Sequence, residues 1–352
     1  KHASYVAYEY DGGLYALPEQ TTFNLMFYRT DIFEQLEIEP PDTWDDLIAI
    51  LPTLQGNNLQ VAIPFPQVNG NDIGGFYTMV FQNGGDVYNA AGTKTALDDE
   101  AGISAFKTFT SLFNSYGLET YYDFPSRFRT GDMPLGVANY TTYNTLAVSA
   151  PEIRGLWDFA YLPGTVRKDA GGNEYVDRSV GLGGVACMMI NKGGIEIFDS
   201  NAISSFFGVS TETNKEQILA EKNKKLKRDI DRQNDSWEFM KWWVSSETQV
   251  RYGREIEALL GASARYATAN VEALKQLSWK SSQLQVILDS LEDSVGVPNV
   301  PGSYYTNRHV VNGIRKVINE QDDPRETLID YSRKINDELT RKRQEFNLPV
   351  EE

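Results

Sequence analysis

Apolar and polar residues alternate over residues 5–28, and the alternation is broken once, at Asp11-Gly12-Gly13. An alternating run interrupted by Asp-Gly predicts two extended segments joined by a hairpin turn. Apolar positions spaced mainly by three predict an amphipathic helix over residues 99–116. A short apolar run closed by prolines, Val61–Pro64, predicts a buried strand.

Other helices are predicted from their start and stop signals. Thr30 and Asp31 begin a short helix, and Thr43 caps a second one after Pro40-Pro41. Further helices are predicted over 74–81, 271–276, 282–291 and, with a break near 322–324, 308–346. A loop over 128–136 leading to a strand at 137–140, a surface turn at 171–174 and a glycine-rich strand at 181–190 complete the pattern. Strands that alternate with helices indicate an α/β fold.

One stretch, residues 213–234, differs in character because it holds a basic run, KNKKLKR, in an otherwise acidic chain. Such a run is more typical of a solvated helix or a disordered insertion than of a dedicated binding patch. The apolar segment that follows contains three tryptophans, Trp237, Trp242 and Trp243. We expect these three side chains, and Trp157, to lie in the core.

Composition narrows the range of possible folds and partners. The 352 residues are 41% hydrophobic and 12% aromatic, enough to fold around a substantial core in two domains or one large one. The 49 Asp and Glu exceed the 33 Lys and Arg, giving a net charge of −16 that disfavours nucleic acid and anionic lipid as partners. The single cysteine, Cys187, lies in an apolar run and is expected in the core.

An ordered series of short motifs resembles a known family. GLYALP at 13–18, FNLMFYR at 23–29 and PDTWDD at 41–46 resemble the sugar-binding proteins of ABC importers, the maltose-binding-protein-like members of extracellular solute-binding protein family 1. Arg29 and Thr30 stand where that family usually has Asn-Lys. Further pieces follow in the family's order: QNGG at 82–85, FRTGDMPLG at 128–136, YLPG at 161–164, GGV at 183–185, and residues 236–250.

The resemblance implies a type II periplasmic-binding-protein-like fold with two lobes. It places the hinge or crossover strand in 1–16, the second lobe in 17–180, helices that return to the first lobe in 181–260, and the hinge return with the C-terminal helices of the second lobe in 261–352. The charged insertion would occupy about 213–234. Family members place about a hundred residues, one small domain's worth, before the motif that starts here at Gly13, so we expect the opening part of the first lobe to be missing.

The resemblance also implies a function. The chain would bind a carbohydrate, expected to be an oligosaccharide, by hinged closure of the lobes and deliver it to the membrane subunits of an ABC importer. We expect a monomer without cofactor or metal. Its location would be extracellular, either tethered to the cell membrane as a lipoprotein or periplasmic.

Candidate ligand contacts follow from how proteins hold sugars, with aromatic faces against the ring and amides, carboxylates or Arg bonded to its hydroxyl groups. By the resemblance, three loops and the tail would supply Glu19, Gln20, Thr22 and Asn24; Gln67, Asn69 and Asn71; Asn139, Tyr140 and Tyr143; and Tyr304, Tyr305 and Arg308. Asn69 and Asn71 are also typical turn formers. Tyr140 and Tyr143 are equally compatible with packing beneath a loop.

Two alternatives remain, a glycan-acting enzyme and a ligand-sensing or interaction module in a larger protein. Carboxylates that could serve as catalytic acids are adjacent in three places, Asp45-Asp46, Asp98-Asp99-Glu100 and Asp322-Asp323. Each group lies at a predicted helix start or turn, where Asp caps free amides. The sequence has two histidines and lacks a Gly-x-Ser-x-Gly elbow, a phosphate-binding glycine loop and a His-Glu-x-x-His motif. It therefore favours a binding protein over an enzyme.

Overall fold

The structure is a computed structural model that describes residues 3–66, 74–189 and 212–350, without the side chains of 212–218. The strands are β1 (Glu9–Tyr10), β2 (Gly13–Leu14), β3 (Leu17–Thr22), β4 (Asn24–Arg29), β5 (Val61–Ala62), β6 (Leu135–Asn139), β7 (Trp157–Ala160), β8 (Thr165–Lys168), β9 (Glu174–Asp177), β10 (Val180–Gly181), β11 (Gly183–Cys187) and β12 (Ser294–Val295). The helices are α1 (Thr30–Leu36), α2 (Trp44–Gly56), α3 (Gly74–Gln82), α4 (Glu100–Asn114), α5 (Phe124–Thr130), α6 (Thr142–Ser149), α7 (Glu212–Trp243), α8 (Ser246–Leu260), α9 (Val271–Leu274), α10 (Ser281–Glu292), α11 (Ser303–Glu320) and α12 (Pro324–Glu345). Short 3-10 turns lie at Ala3–Tyr8, Pro151–Ile153 and Ala262–Ala264.

A four-stranded sheet in the order β5-β6-β4-β7 forms the centre of the fold. β5 runs parallel to β6, whereas β4 is antiparallel to both β6 and β7. The carboxyl ends of β5, β6 and β7 therefore share one edge with the amino end of β4. Phe27 lies in the middle of β4, fully buried, with Gly136 on one neighbouring strand and Phe159 on the other. This mixed sheet covered by helices confirms the predicted α/β class.

Helices cover the sheet through an aromatic core. Phe76 of α3 packs edge to face on Phe106 of α4, with 5.4 Å between the ring centroids. The C-terminal pair α11 and α12 pack on each other and on α4, and Gly313 lets α11 approach Phe106 and Tyr331 closely. The predicted amphipathic helix over 99–116 is thus confirmed, and its apolar face joins the N-terminal and C-terminal parts of the chain.

The helix starts inferred from Asp and Thr are confirmed. Thr43 Oγ1 accepts a hydrogen bond from Asp46 N at 3.1 Å, and Asp46 Oδ2 accepts one from Thr43 N at 3.0 Å, which forms a capping box. Asp99 caps α4 and Asp323 caps α12 by accepting a hydrogen bond from a backbone N–H in the first turn, without the reciprocal bond of a capping box. One member of each adjacent carboxylate group is therefore accounted for as a helix cap.

Two short ladders link distant parts of the chain. β3 pairs antiparallel with β11, and β10 pairs in parallel with β12. The predicted hairpin is present between β1 and β2, where Asp11 and Gly12 adopt positive φ angles of 46° and 75°. Such angles at both central residues belong to the type I′ turn, whose twist matches that of the paired strands.

Some elements differ from the sequence prediction. Residues Ala3–Tyr8 form a 3-10 turn where the alternating pattern predicted extended chain. Phe128 lies in α5, a helix that the sequence treated as a loop. Asp123 caps this helix and a proline occupies its first turn, which are both ordinary start signals. Cys187 is half-buried at the end of β11, rather than in the core.

The tryptophans of α7 were also predicted wrongly as core residues. Trp242 is 56% exposed, and the neighbouring Phe239 is exposed as well. Trp237 and Trp243 are half-buried. Trp157 is half-buried but packs against the core through Phe27 and Phe128. The charged run upstream is part of this same 32-residue helix, as one of the two readings of the sequence expected.

Candidate binding edge and its surroundings

The shared edge of the central sheet brings together residues predicted from two separate loops. Asn24, at the start of β4, lies directly opposite Asn139, at the end of β6. Thr22 ends β3, two residues before Asn24, and is half-buried. Three predicted contacts thus converge at the edge where open α/β sheets commonly bind ligands. Gln67, Asn69 and Asn71, which come after β5 in the sequence, lie outside the described residues.

Asn139 also organises the chain that leaves β6. Its Oδ1 accepts hydrogen bonds from the backbone N of Thr141 at 3.0 Å and from the Oγ1 of Thr141 at 2.8 Å. This side-chain turn redirects the backbone into α6. The side-chain oxygen Oδ1 of Asn139 is therefore engaged within this turn, and the side-chain amide nitrogen takes no part in these two bonds.

Tyr140 is a core residue, which contradicts its prediction as a ligand contact. Its side chain is 1% exposed, and its ring stacks on Phe23 with 4.9 Å between the centroids. Burial raises the pKa of Tyr140 well above its usual range. The sequence could not separate packing from ligand contact, because the partner that buries Tyr140, Phe23, is far away along the chain.

Tyr143 lies in the first turn of α6 and is half-buried. Its ring contacts Trp157 and Trp279, with centroid separations of 5.4 Å and 5.0 Å. The guanidinium of Arg265 lies over the same ring at 5.1 Å. Tyr143 is thus one wall of a group of aromatic and charged side chains that packs against α6.

Glu19 and Gln20 join strand β3 to the segment after α8. The Glu19 carboxylate accepts a hydrogen bond from the hydroxyl of Tyr266 at 2.8 Å, and its backbone carbonyl accepts one from Ala269 N at 2.9 Å. Gln20 forms a β-bridge with Thr268. Burial, and then the bond to Glu19, raise the pKa of Tyr266. Glu19 and Gln20, both predicted as ligand contacts, therefore also hold β3 against residues 266–269.

The predicted tail residues have partners on the C-terminal helices. Tyr304 is 59% exposed, and its ring centroid lies 4.1 Å from that of Tyr305. The bond to Tyr305 is the main cause that raises the pKa of Tyr304 to about 12, with a smaller contribution from the charge of Glu338 on α12. Arg308 is exposed. Tyr304 therefore lies near α12, whereas Arg308 is exposed to solvent.

Sequence reasoning missed the residues of α11 that bond to α3 and to the loop after it. The hydroxyl of Tyr77 donates to Asn307 Oδ1 at 3.0 Å, and that of Tyr88 donates to Thr306 Oγ1 at 2.8 Å. Thr306 and Asn307 directly follow the predicted Tyr304 and Tyr305. Because a helix turns by about 100° per residue, adjacent positions face different neighbours.

A second missed group surrounds Arg265, which follows the 3-10 turn Ala262–Ala264. Arg265 donates from Nε at 3.0 Å and from Nη2 at 2.6 Å to Glu257 Oε1 of α8. Its guanidinium carbon lies 4.6 Å from the ring centre of Trp279. The side chain of Asn144 donates to the backbone carbonyl of Arg265 at 2.8 Å. No periodic pattern in the sequence marks these residues as neighbours.

Across residues 3–66, 74–189 and 212–350, no group of three or more His, Cys, Asp or Glu is arranged to hold a metal ion. Within the same part of the chain, every helix is too short or too polar to cross a membrane.

A family model described as bacterial extracellular solute-binding protein matches residues 2–183, slightly more than half of the chain. The chain belongs to the bacterial extracellular solute-binding proteins. This assignment confirms the resemblance carried by the ordered motifs between Gly13 and Val185.

Solved structures share the fold at low sequence identity. An ABC transporter solute-binding protein from Thermotoga lettingae TMO, bound with α-D-tagatose, is 17% identical with a TM-score of 0.66, over 94% of this chain and 74% of that one. Maltose-bound MalE3 of T. maritima is 16% identical with a TM-score of 0.63, over 94% and 74% of the two chains. The sugar-binding protein MalE of Xanthomonas citri is 12% identical with a TM-score of 0.67, over 99% and 76%. These matches confirm the type II periplasmic-binding-protein-like fold.

Proposed function

We propose that this solute-binding protein binds a carbohydrate, without transforming it, and delivers it to the membrane subunits of an ABC importer. The observation that carries the proposal is the polar edge of the central sheet, where Thr22, Asn24 and Asn139 converge in a member of this family. Similar structures have been solved with tagatose, maltose and acarbose, all of which carry many hydroxyl groups. Side-chain amides and hydroxyls of this kind match such ligands, because they both donate and accept hydrogen bonds.

The mechanism would be hinged closure of two lobes, with the ladders β3–β11 and β10–β12 at the boundary between them. Crossover strands of this kind can absorb a change of backbone angles while the packed bodies on either side move as units. Ligand that contacts both bodies favours the closed state by its higher affinity for that state. On this proposal 1–16 and the start of 261–352 are hinge segments, 17–180 and the end of the chain form the second lobe, and 181–260 belongs with the first.

The ligand contacts would be Glu19, Gln20, Thr22, Asn24 and the side-chain amide of Asn139, with Gln67 and Asn69 from the segment after β5. We further propose an oligosaccharide as the ligand, a monomer as the working form, and a location outside the cytoplasmic membrane, as a lipoprotein or in the periplasm. The carboxylates that could suggest a glycan-acting enzyme are used as caps at Asp46, Asp99 and Asp323. This use favours the binding function over catalysis.

Isothermal titration calorimetry with maltose, D-tagatose and ribitol tests the proposal, since each is bound by a protein of similar structure. We expect saturable binding of at least one, and a loss of about 2- to 12-fold in affinity for Asn24→Ala, the range that one hydrogen bond contributes. Asn114→Ala, at an exposed position on α4, is the matched control. Absence of binding to all three, or turnover of a sugar that a single carboxylate substitution abolishes, would contradict the proposal.

A further inference from the structure

Four buried polar atoms without a hydrogen-bond partner belong to the group around Arg265. They are Arg265 Nη1, Glu257 Oε2, Asn144 Oδ1 and Trp279 Nε1, and they make up half of the eight such side-chain atoms among the described residues. Their concentration in one place is unusual, because buried polar groups are nearly always bonded. Each such atom destabilises the fold if it stays unpaired.

The residues that carry these atoms come from four separate parts of the chain. Glu257 lies on α8, Asn144 on α6, Arg265 after the 3-10 turn, and Trp279 just before α10. The side chain of Arg265 is 8% exposed and that of Glu257 is 15% exposed. Because Arg265 donates to Glu257 Oε1 from Nε and from one N–H of Nη2, the N–H groups of Nη1 and the second carboxylate oxygen of Glu257 remain without a partner.

The chemistry of the four atoms is balanced. Arg265 Nη1 and Trp279 Nε1 are donors, whereas Glu257 Oε2 and Asn144 Oδ1 are acceptors. A hydroxyl group both donates and accepts, so two neighbouring hydroxyls of a sugar could satisfy all four atoms. The rings of Tyr143 and Trp279, which border the guanidinium at 5.1 Å and 4.6 Å, offer the flat apolar faces that sugar rings pack against.

The position of the group agrees with this role. Asn144 and Tyr143 lie in the first turn of α6, which begins three residues after Asn139 at the binding edge. We propose that Arg265, Glu257, Asn144 and Trp279 form a hydroxyl-binding site for the carbohydrate ligand. This inference rests on the proposed function and adds charged and aromatic contacts to the polar edge.

The test combines measurements of ligand affinity with NMR spectra of the indole N–H groups. Trp279→Phe removes Nε1–H and keeps an aromatic ring, and Arg265→Lys removes the outer fork of the guanidinium. With the probe that binds the wild type among maltose, D-tagatose and ribitol, we expect about a 2- to 12-fold loss of affinity for Trp279→Phe and about a 10-fold or greater loss for Arg265→Lys. Trp242→Phe, at an exposed position, should change affinity less than 2-fold.

Nitrogen-15 spectra of the indole groups separate binding from a structural role. Trp279→Phe identifies the Trp279 resonance, and Trp44, whose Nε1 already donates to Gln82 Oε1 at 2.7 Å, is the internal reference. We expect saturating probe to shift the Trp279 signal downfield and leave that of Trp44 in place. Two results would overturn the proposal when the wild type binds the probe: a Trp279 signal that stays in place, or full affinity in both variants. Either result is expected if ordered water fills the site. If the wild type binds none of the probes, the proposed function fails and this inference fails with it.

Discussion

Thr268 donates a hydrogen bond from Oγ1 to Gln249 Oε1 at 2.8 Å, and both residues are almost completely buried. Thr268 lies opposite Gln20 of β3, and Gln249 belongs to α8, so this one bond ties α8 to the segment that pairs with β3. Gln249 extends the link by donating to the backbone carbonyl of Trp243 at 2.9 Å. The segment that contains Thr268 therefore holds α8 to β3.

Replacing Thr268 by Val should test that link. The substitution keeps the shape but removes the donor to Gln249 and the acceptor for Asn270 N, so we expect a loss of about 1–3 kcal/mol in the free energy of unfolding. Urea denaturation measures it. Thr53→Val, at an exposed position on α2, is the control. Equal stability of the two variants would show that the bond contributes nothing measurable.

The capping box of α2 gives a second prediction. Thr43→Ala removes the acceptor for Asp46 N and should lower the free energy of unfolding by about 1 kcal/mol. Thr53→Ala, within the same helix but away from its start, should be neutral or slightly stabilising because Ala favours the helix interior. Urea denaturation of the wild type and both variants measures the free energies of unfolding. A Thr43→Ala protein of wild-type stability would contradict a stabilising role for the cap.

Close packing between β3 and β11 gives a third prediction. A Cβ on Gly184 would lie 2.3 Å from the backbone carbonyl oxygen of Gln20, which cannot move away without breaking the β3–β11 ladder. We expect Gly184→Ala to destabilise the fold by about 1–3 kcal/mol. Gly56→Ala, where a Cβ meets no atom within 4 Å, should instead leave stability unchanged or raise it by about 0.4–1 kcal/mol. Thermal unfolding of the pair distinguishes the two positions.

Asp31 supplies a prediction for pH. Partial burial raises the pKa of Asp31, but the hydrogen bonds and charge of Arg29 outweigh it, so the pKa in the folded protein is lowered. A carboxylate with a lowered pKa stabilises the fold above its unfolded value of about 3.9 and loses that contribution as the pH falls through the folded value. Asp31→Asn should therefore lose less stability than the wild type between pH 7 and pH 3.

Urea denaturation at the two pH values measures this difference. Glu34→Gln, exposed on the same helix α1, serves as the matched control and should follow the wild-type pH dependence. A wild-type acid response in Asp31→Asn would mean that the contact at 2.6 Å between Arg29 Nη2 and Asp31 Oδ2 does not persist in solution.

Local signals in the sequence were sufficient wherever the deciding contacts are local. Thr43 and Asp46 are three residues apart, so the cap they form could be predicted from the pattern alone. Asn24 and Asn139 were placed in one site by family resemblance, and the strand register brings them opposite each other. Tyr140 was misjudged because its partner, Phe23, contacts it across strands.

The group around Arg265 could not be found in the sequence for a related reason. Arg265 reaches Glu257 after the chain reverses through Gly261, whose φ of +80° ends α8, and no helical or strand period joins the two positions. The prediction of core tryptophans on α7 failed because apolar composition indicates a buried face only when something in the fold covers it. For Trp242 the described residues leave more than half of the side chain open.

That exposed side chain makes the protein its own optical reporter. Trp44 is buried and hydrogen-bonded, whereas Trp242 lies open to solvent on α7, so the intrinsic emission should contain a blue component and a red one. Iodide in solution would quench the red component first. Anything that came to rest on α7 would restore that emission, and its arrival could be followed without a label.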